Sequence, residues 1–223
     1  TPVTSFGIGE ASAADWRAQL LAEDGSAFRV LPPGSESIDA QWSHCGQHNV
    51  ENALAALASA RHVGVAPAVA ALALQEFQGV KRRLELLGSP GDVAVYDDFA
   101  HPPTAIATTL QGLRARAGNG RVIALVEPRS NTMRMGEHRE QLASATAAAD
   151  CVYWFQPPGM DWSLESVVGA SVVPATVVND VDELVLQVAG EARPGDQVVI
   201  MSNGSFGGIH QKLLQQLQDA AAR

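Results

Sequence analysis

Basic residues are scarce in this chain. Its 223 residues hold 15 Lys and Arg against 24 Asp and Glu, a formal net charge of −9 with a pI near 5.0. A surface that neutralises phosphate backbones or anionic lipid needs clustered Lys and Arg, so the balance argues against nucleic acid and membrane as partners. No apolar run approaches the roughly 20 residues of a spanning helix, and no basic-then-apolar leader opens the chain, so a soluble protein is expected. Cysteine is nearly absent. Cys45 and Cys151 stand far apart, which points to free thiols in a reducing compartment, the cytoplasm, rather than to a disulfide framework. The chain begins Thr1-Pro2 without an initiator Met, and we expect a piece of something longer.

Several chemical signatures are missing too. No His/Cys cluster has metal-ligand spacing and no Ser sits in a nucleophile elbow, leaving zinc hydrolysis and acyl-enzyme chemistry without support. Neither GxxxxGK[ST] nor GxGxxG occurs, so neither a P-loop nor the dinucleotide fingerprint is present. What is present is a 46% hydrophobic composition, enough to bury a core for one large domain or one domain plus part of another.

Residues 1 to about 47 carry short apolar stretches broken by Gly and Pro, such as Phe28-Arg29-Val30-Leu31 before Pro32-Pro33-Gly34, which suit short strands and turns. From Asn49 the spacing becomes helical, with Val50, Ala53, Leu54, Leu57 and Ala60 on one face until Gly64; Pro67 opens a second helix, to about Phe77. After Gly79 the run Lys81-Arg82-Arg83 leads into a regular alternation of apolar runs and helical patterns. We place a domain boundary there, dividing 1–79 from 80–223.

In the second part the apolar runs are continuous, as in strands covered on both faces. They are Val93–Tyr96, Val122–Val126, Cys151–Phe155, Val172–Val178 and Gln197–Met201. Helical spacing falls at Ile106/Leu110/Leu113, Leu142/Ala145/Ala149, Val181/Leu184/Val188 and Phe206/Ile209/Leu213/Leu217. This is βαβ organisation: an α/β fold, a mostly parallel sheet with helices on both faces.

Ligands of open α/β sheets collect at the carboxyl ends of the strands, and here those loops are polar. The first runs Asp97 to Thr104, the second Glu127 to Thr132, the last Ser202 to Gly208; three loops would converge on one crevice. Asp97 and Asp98 with His101 can orient a ribose hydroxyl, hold a metal-bound water or accept a proton, or cap a helix as solvated acids. Arg129 offers a planar fork for carboxylate or phosphate, or a surface salt bridge. The Gly-rich turn before the last helix can present backbone N–H groups to an anion, or serve turn geometry alone. His48 and Asn52, four apart near a helix start, can grip a heterocycle or cap the helix.

Together these segments resemble the Mur ligases, the ATP-dependent amide-forming enzymes of peptidoglycan assembly. Gly46-Gln47-His48-Asn49-Val50-Glu51-Asn52-Ala53 is similar to the GxHNxxNxxAA segment at the end of the family's central ATPase domain. Arg82-Arg83-Leu84-Glu85 resembles the RRxE entry to its C-terminal domain, and Tyr96 to Thr104 its YDDYAHHPT motif. Glu127 to Met133 and Met201 to Leu213 resemble the branch that joins L-alanyl-γ-D-glutamyl-meso-diaminopimelate to UDP-N-acetylmuramate in peptidoglycan recycling. The sister that adds L-alanine usually has an FQPHRYSRT-like stretch where this chain has EPRSNTM.

The resemblance implies a Rossmann-like C-terminal domain over 80–223 preceded by the tail of the central ATPase domain over 1–79. It implies that His48 and Asn52 contact the adenine of ATP, that Arg83 and Asp98 lie at the phosphates and ribose, and that His101 lies beside the reacting end of the nucleotide, Asp98 and His101 serving catalysis. It implies that Arg129, Ser130, Asn131, Ser202, Asn203 and Gly204 hold the incoming peptide. It also implies an acyl phosphate, formed when the carboxylate of UDP-N-acetylmuramate attacks ATP and consumed by the peptide amine, with catalysis by positioning and charge neutralisation. Mg2+ ligands and the phosphate-cradling loop belong to the family's upstream part, so the chain alone is expected not to turn over. One position departs: Pro103 stands where the motif has its second His. Two rival readings are an L-alanine-adding ligase and a noncatalytic peptide- or nucleotide-binding module of the same fold.

Overall fold

A computed structural model describes residues 3–9 and 12–222. The chain divides into two compact units, Thr1–Gly79 and Val80–Arg223. Among the described residues no helix is long and apolar enough to cross a membrane, and neither cysteine is in a disulfide.

In the first unit strands β1 (Phe6–Ile8), β2 (Trp16–Leu20), β3 (Ala27–Leu31) and β4 (Ile38–Gln41) form one sheet in that order. β1 runs parallel to β2; the other pairs are antiparallel. Alternate residues turn inward, Trp16 and Ala18, Phe28 and Val30, then Ala40, because strand side chains have a period of two. That face packs on Val50, Ala53, Leu54 and Leu57 of helix α1 (Gln47–His62) and Ala71 of α2 (Pro67–Gln75). Ala60, expected on the same face of α1, is only half-buried.

The second unit holds strands β5 (Glu85–Gly88), β6 (Ala94–Asp98), β7 (Val122–Val126), β8 (Cys151–Phe155), β9 (Ala175–Val178) and β10 (Gln197–Met201). Their order across the sheet is β5-β6-β10-β7-β8-β9. All neighbours are parallel except β5, which runs antiparallel to β6. Alternation along the strands feeds two cores. Val122, Ala124 and Val126 of β7, with Trp154 and Met201, pack on Ile106, Leu110 and Leu113 of α3 (Pro103–Ala117), Met133 of α4 (Asn131–Arg134), Leu142 of α5 (Arg139–Ala145) and Val167 of α6 (Glu165–Gly169). On the other face Ile123 and Leu125 of β7, with Val198 and Ile200, pack on Leu184 and Val188 of α7 (Val181–Glu191) and Ile209, Leu213 and Leu217 of α8 (Ile209–Ala221). Each such Leu or Ile contributes about 1.5–3 kcal/mol by burial. Helices therefore cover both faces of a mostly parallel sheet, the α/β fold expected from the sequence.

Several edges differ from expectation: α2 ends at Gln75 rather than about Phe77, β6 starts at Ala94 rather than Val93, and α8 starts at Ile209 with Phe206 in the turn before it. β6 runs on through Asp97 and Asp98, which pair with Ile200 and Met201 of β10, so both acids belong to a strand rather than to a loop. β9 starts at Ala175 rather than Val172; Pro174 has no N–H to give a ladder, and Val172 is exposed. Helix α5 ends at Ala145, and Ala149 is buried in the turn beyond it. The short edge strand β5 carried no periodic signal of its own.

Candidate functional site

β10 lies between β6 and β7, with Met201 level with Asp98 on one side and Val126 on the other. This register brings the loops that follow all three strands to one end of the sheet. An open cleft of about 520 Å³ lies there, lined by Arg129, Ser130, Asn131, Asn203, Gly204 and Ser205; two of the three expected loops line it, and the loop after β6 contributes no lining residue. Of the six residues expected to hold a peptide, five line it. The sixth, Ser202, is fully buried beneath and presents no surface, because its hydroxyl is spent on Glu127.

Each lining residue is set by its own local bonds. Ser130 caps the short helix α4 (Asn131–Arg134), its Oγ accepting the Met133 N–H at 3.4 Å, and Met133 is driven into the core. Arg129 is exposed and lies across Gly204, where an added Cβ would stand 2.0 Å from Nη1 and 2.5 Å from Cδ. A side chain at 204 would therefore displace the guanidinium, and glycine keeps the cationic fork at the cleft wall. Asn203 contributes a buried Oδ1 with no hydrogen-bond partner among the described residues. The cleft thus presents an exposed planar cation at Arg129, which suits a ligand carrying a carboxylate, and its wall holds an unused buried acceptor at Asn203.

Beneath the cleft a polar frame locks the loops together. Ser202 donates its hydroxyl proton to Glu127 Oε2 and accepts the Gly204 N–H at 2.9 Å. Arg82 reaches the other side, donating from Nη2 to the carbonyls of Ser202 at 2.6 Å and Gly204 at 2.9 Å, and from Nε to Asp97 Oδ2 at 3.1 Å. His210 Nε2 stands 3.1 Å from the other oxygen of Asp97. Arg82 and Leu84 hold left-handed backbone, φ 60 and 49, which costs non-glycine residues on the order of 1 kcal/mol each. The bonds of the Arg82 guanidinium, and the Leu84 N–H donated to Asp98, hold that conformation in place. The sequence placed Arg82 in the RRxE segment and Glu127 at the head of a polar loop but gave neither a role; an Arg-Arg pair does not say which guanidinium turns inward.

Of the expected nucleotide residues, Arg83, Asp98 and His101 belong to the second unit and His48 and Asn52 to the first. Asp98 is buried, accepting N–H bonds from Ala100 at 2.6 Å and Leu84 at 2.7 Å, so it is not the solvated acid of a helix cap. Burial holds its carboxyl above the usual range, against the pull of those N–H groups and Arg83. Arg83 is exposed, its guanidinium 5.6 Å from the Phe99 ring centroid. His101 Nδ1 lies 2.9 Å from the Phe99 carbonyl; a carbonyl only accepts, so Nδ1 carries the proton and Nε2 is left as the acceptor in the neutral ring. Pro103 occupies the first turn of α3 behind Pro102, where a fixed φ suits the helix start. In the first unit His48 is half-buried and Asn52 exposed, on successive turns of α1. Neither caps that helix: Gly46 is its N-cap, at φ 93, and the Asn49 amide turns back to the Cys45 carbonyl at 2.7 Å. The glycine-rich turn serves backbone geometry, Phe206, Gly207 and Gly208 all having positive φ and burying the Phe206 ring against Phe155.

Comparison with known proteins agrees with this architecture. The family model described as "Mur ligase, glutamate ligase domain" matches residues 82–204, more than half of the chain. The UDP-N-acetylmuramate–L-alanyl-gamma-D-glutamyl-meso-2,6-diaminoheptandioate ligase of Escherichia coli K12 is 50% identical over 92% of this chain and 45% of its own length. The ligase of the same name from Haemophilus influenzae is 44% identical, again over 92% and 45%. The crystal structure of a murein peptide ligase from Psychrobacter arcticus 273-4 superposes with a TM-score of 0.68 at 41% identity, covering 96% of this chain and 46% of that one. The chain therefore spans about half the length of the curated relatives it matches. Since the family model matches more than half of the chain, and takes in every cleft residue but Ser205 and every frame residue but His210, the chain belongs to the Mur ligase family.

Proposed function

We propose that the protein carrying these residues is an ATP-dependent ligase that joins L-alanyl-γ-D-glutamyl-meso-diaminopimelate to UDP-N-acetylmuramate in peptidoglycan recycling, in the cytoplasm. The observation that carries the reading is the cleft. Arg129 lies across Gly204 in a cleft that Asn203 also lines, and its exposed fork suits the distal carboxylate of diaminopimelate. The names of the two relatives above support the choice of peptide over L-alanine.

In this reading Arg129, Ser130, Asn131, Asn203 and Gly204 bind and orient the peptide so that its free amine meets an activated carboxylate, and the rate comes from positioning. ATP, when bound, supplies the phosphoryl group that activates the carboxylate. The residues here fit it in part: Arg83 is an exposed fork, suited to phosphate, and His101 Nε2 is available to accept a proton. His48 and Asn52 are assigned to the adenine. Asp98 has both oxygens engaged by backbone N–H groups, so in our reading it chiefly braces the start of the domain. Among the described residues no group of three His, Cys, Asp or Glu side chains is placed to hold a metal; we assign Mg2+ no ligand here and derive no step through it.

The test is Arg129→Ala in the full-length protein. Loss of a charge-assisted pair costs about 1.5–3 kcal/mol, so the apparent KM for the tripeptide should rise roughly tenfold or more while that for ATP stays put. An unchanged tripeptide KM would remove Arg129 from the peptide site.

A further inference from the structure

Glu127 is a buried acid one residue past the most buried strand of the sheet. Burying a carboxyl group is costly, and an apolar residue of similar size would serve the core better if packing were all that mattered. What Glu127 holds is a loop. It receives the Ser202 hydroxyl proton, and the same Ser202 oxygen receives the Gly204 N–H. Bonds arranged in series polarise one another, and each fixes the next donor's direction. The chain ends on Gly204, the residue against which Arg129 lies, and it spans Asn203, whose Oδ1 faces no donor.

Resting on the function proposed above, we infer that Glu127 is a positioning residue for the peptide. Acting through Ser202, it fixes the Ser202–Gly204 turn, so that the Asn203 acceptor and the Arg129 fork stand at a set separation before the ligand arrives. Arg82 also holds the two carbonyls of the same turn, which leaves the turn little freedom once Glu127 is in place. Neither side chain lines the cleft; both act through the loop.

The experiment compares Glu127→Leu, Glu127→Gln and Ser202→Ala in the full-length protein, by steady-state kinetics and by amide hydrogen exchange of the segment 199–206. Glu127→Leu should raise the tripeptide KM about tenfold, the scale of one lost buried hydrogen bond. It should leave the ATP KM within about twofold and speed exchange in the segment. Glu127→Gln keeps a carbonyl that accepts the serine proton and should recover most of the loss. Ser202→Ala should match Glu127→Leu, and the double variant should add nothing, because both break one chain; the smaller change also keeps the test open if Glu127→Leu does not fold. The proposal is overturned if Glu127→Leu leaves the tripeptide KM and the exchange unchanged, or raises the ATP and tripeptide KM together. If the unmodified protein shows no tripeptide-dependent turnover, the ligase reading fails by itself, and the exchange rates still decide whether Glu127 sets the turn.

Discussion

Side chains of the same type behave differently here according to what surrounds them. Cys151 opens β8 half-buried; burial pushes its thiol up to about 11, with Glu191, Asp150 and Asp196 adding to the rise and Arg121 opposing it. The thiolate is the reactive form, so at pH 8 on the order of 0.1% of Cys151 is reactive. Alkylation by iodoacetamide, followed on the peptide that contains Cys151, should be far slower than for a free small thiol at pH 8 and should climb as the pH approaches 11. A rate at pH 8 equal to that of a small thiol would contradict the environment described. The same dependence on surroundings governs what could be read of the cleft. Arg129, Ser130, Asn131, Asn203 and Gly204 follow apolar runs, and that placement alone brings them to one crevice. Ser202 looked equivalent to its neighbours but is consumed below the surface by Glu127. Arg82, rather than Arg83, makes the inward bonds, and nothing in a run of two arginines distinguishes them.

At the scale of elements, strands covered on both faces announce themselves as unbroken apolar runs, and β7, β8 and β10 have the limits those runs imply. Strand limits set by polar residues do not. β6 continues through two aspartates because the parallel ladder with β10 and the bonds of Arg82, Leu84 and Ala100 satisfy them. β5 is four residues at an edge, too short for a period to register. Close packing also governs how the elements meet away from the cleft. Gly120 precedes β7, and a Cβ there would stand 2.2 Å from the Gly195 carbonyl oxygen and 3.2 Å from that of Ala117. Both neighbours are backbone and cannot swing aside, so Gly120→Ala must part the starts of β7 and β10. We expect a loss of about 1–3 kcal/mol, seen as a lowered midpoint in urea or thermal unfolding. An unaltered midpoint would mean that the two segments yield more easily than their spacing implies.

At the largest scale, the two-sided sheet of the second unit is a scaffold, and the residues proposed to bind the peptide stand in loops at one end of it. The fold class was legible because it depends on period and run length. The proposed substrate was not legible from period or spacing; it rests on a resemblance carried by order and identity along the chain, together with a cleft whose exposed Arg129 suits a peptide with an extra carboxylate. The most direct test uses the full-length protein with ATP, magnesium and UDP-N-acetylmuramate, measuring phosphate release with L-alanyl-γ-D-glutamyl-meso-diaminopimelate or L-alanine supplied in parallel. The account predicts release that depends on the tripeptide. Release with L-alanine alone would make the protein the L-alanine-adding ligase, and release with neither acceptor would leave a binding module without turnover; either result contradicts the account.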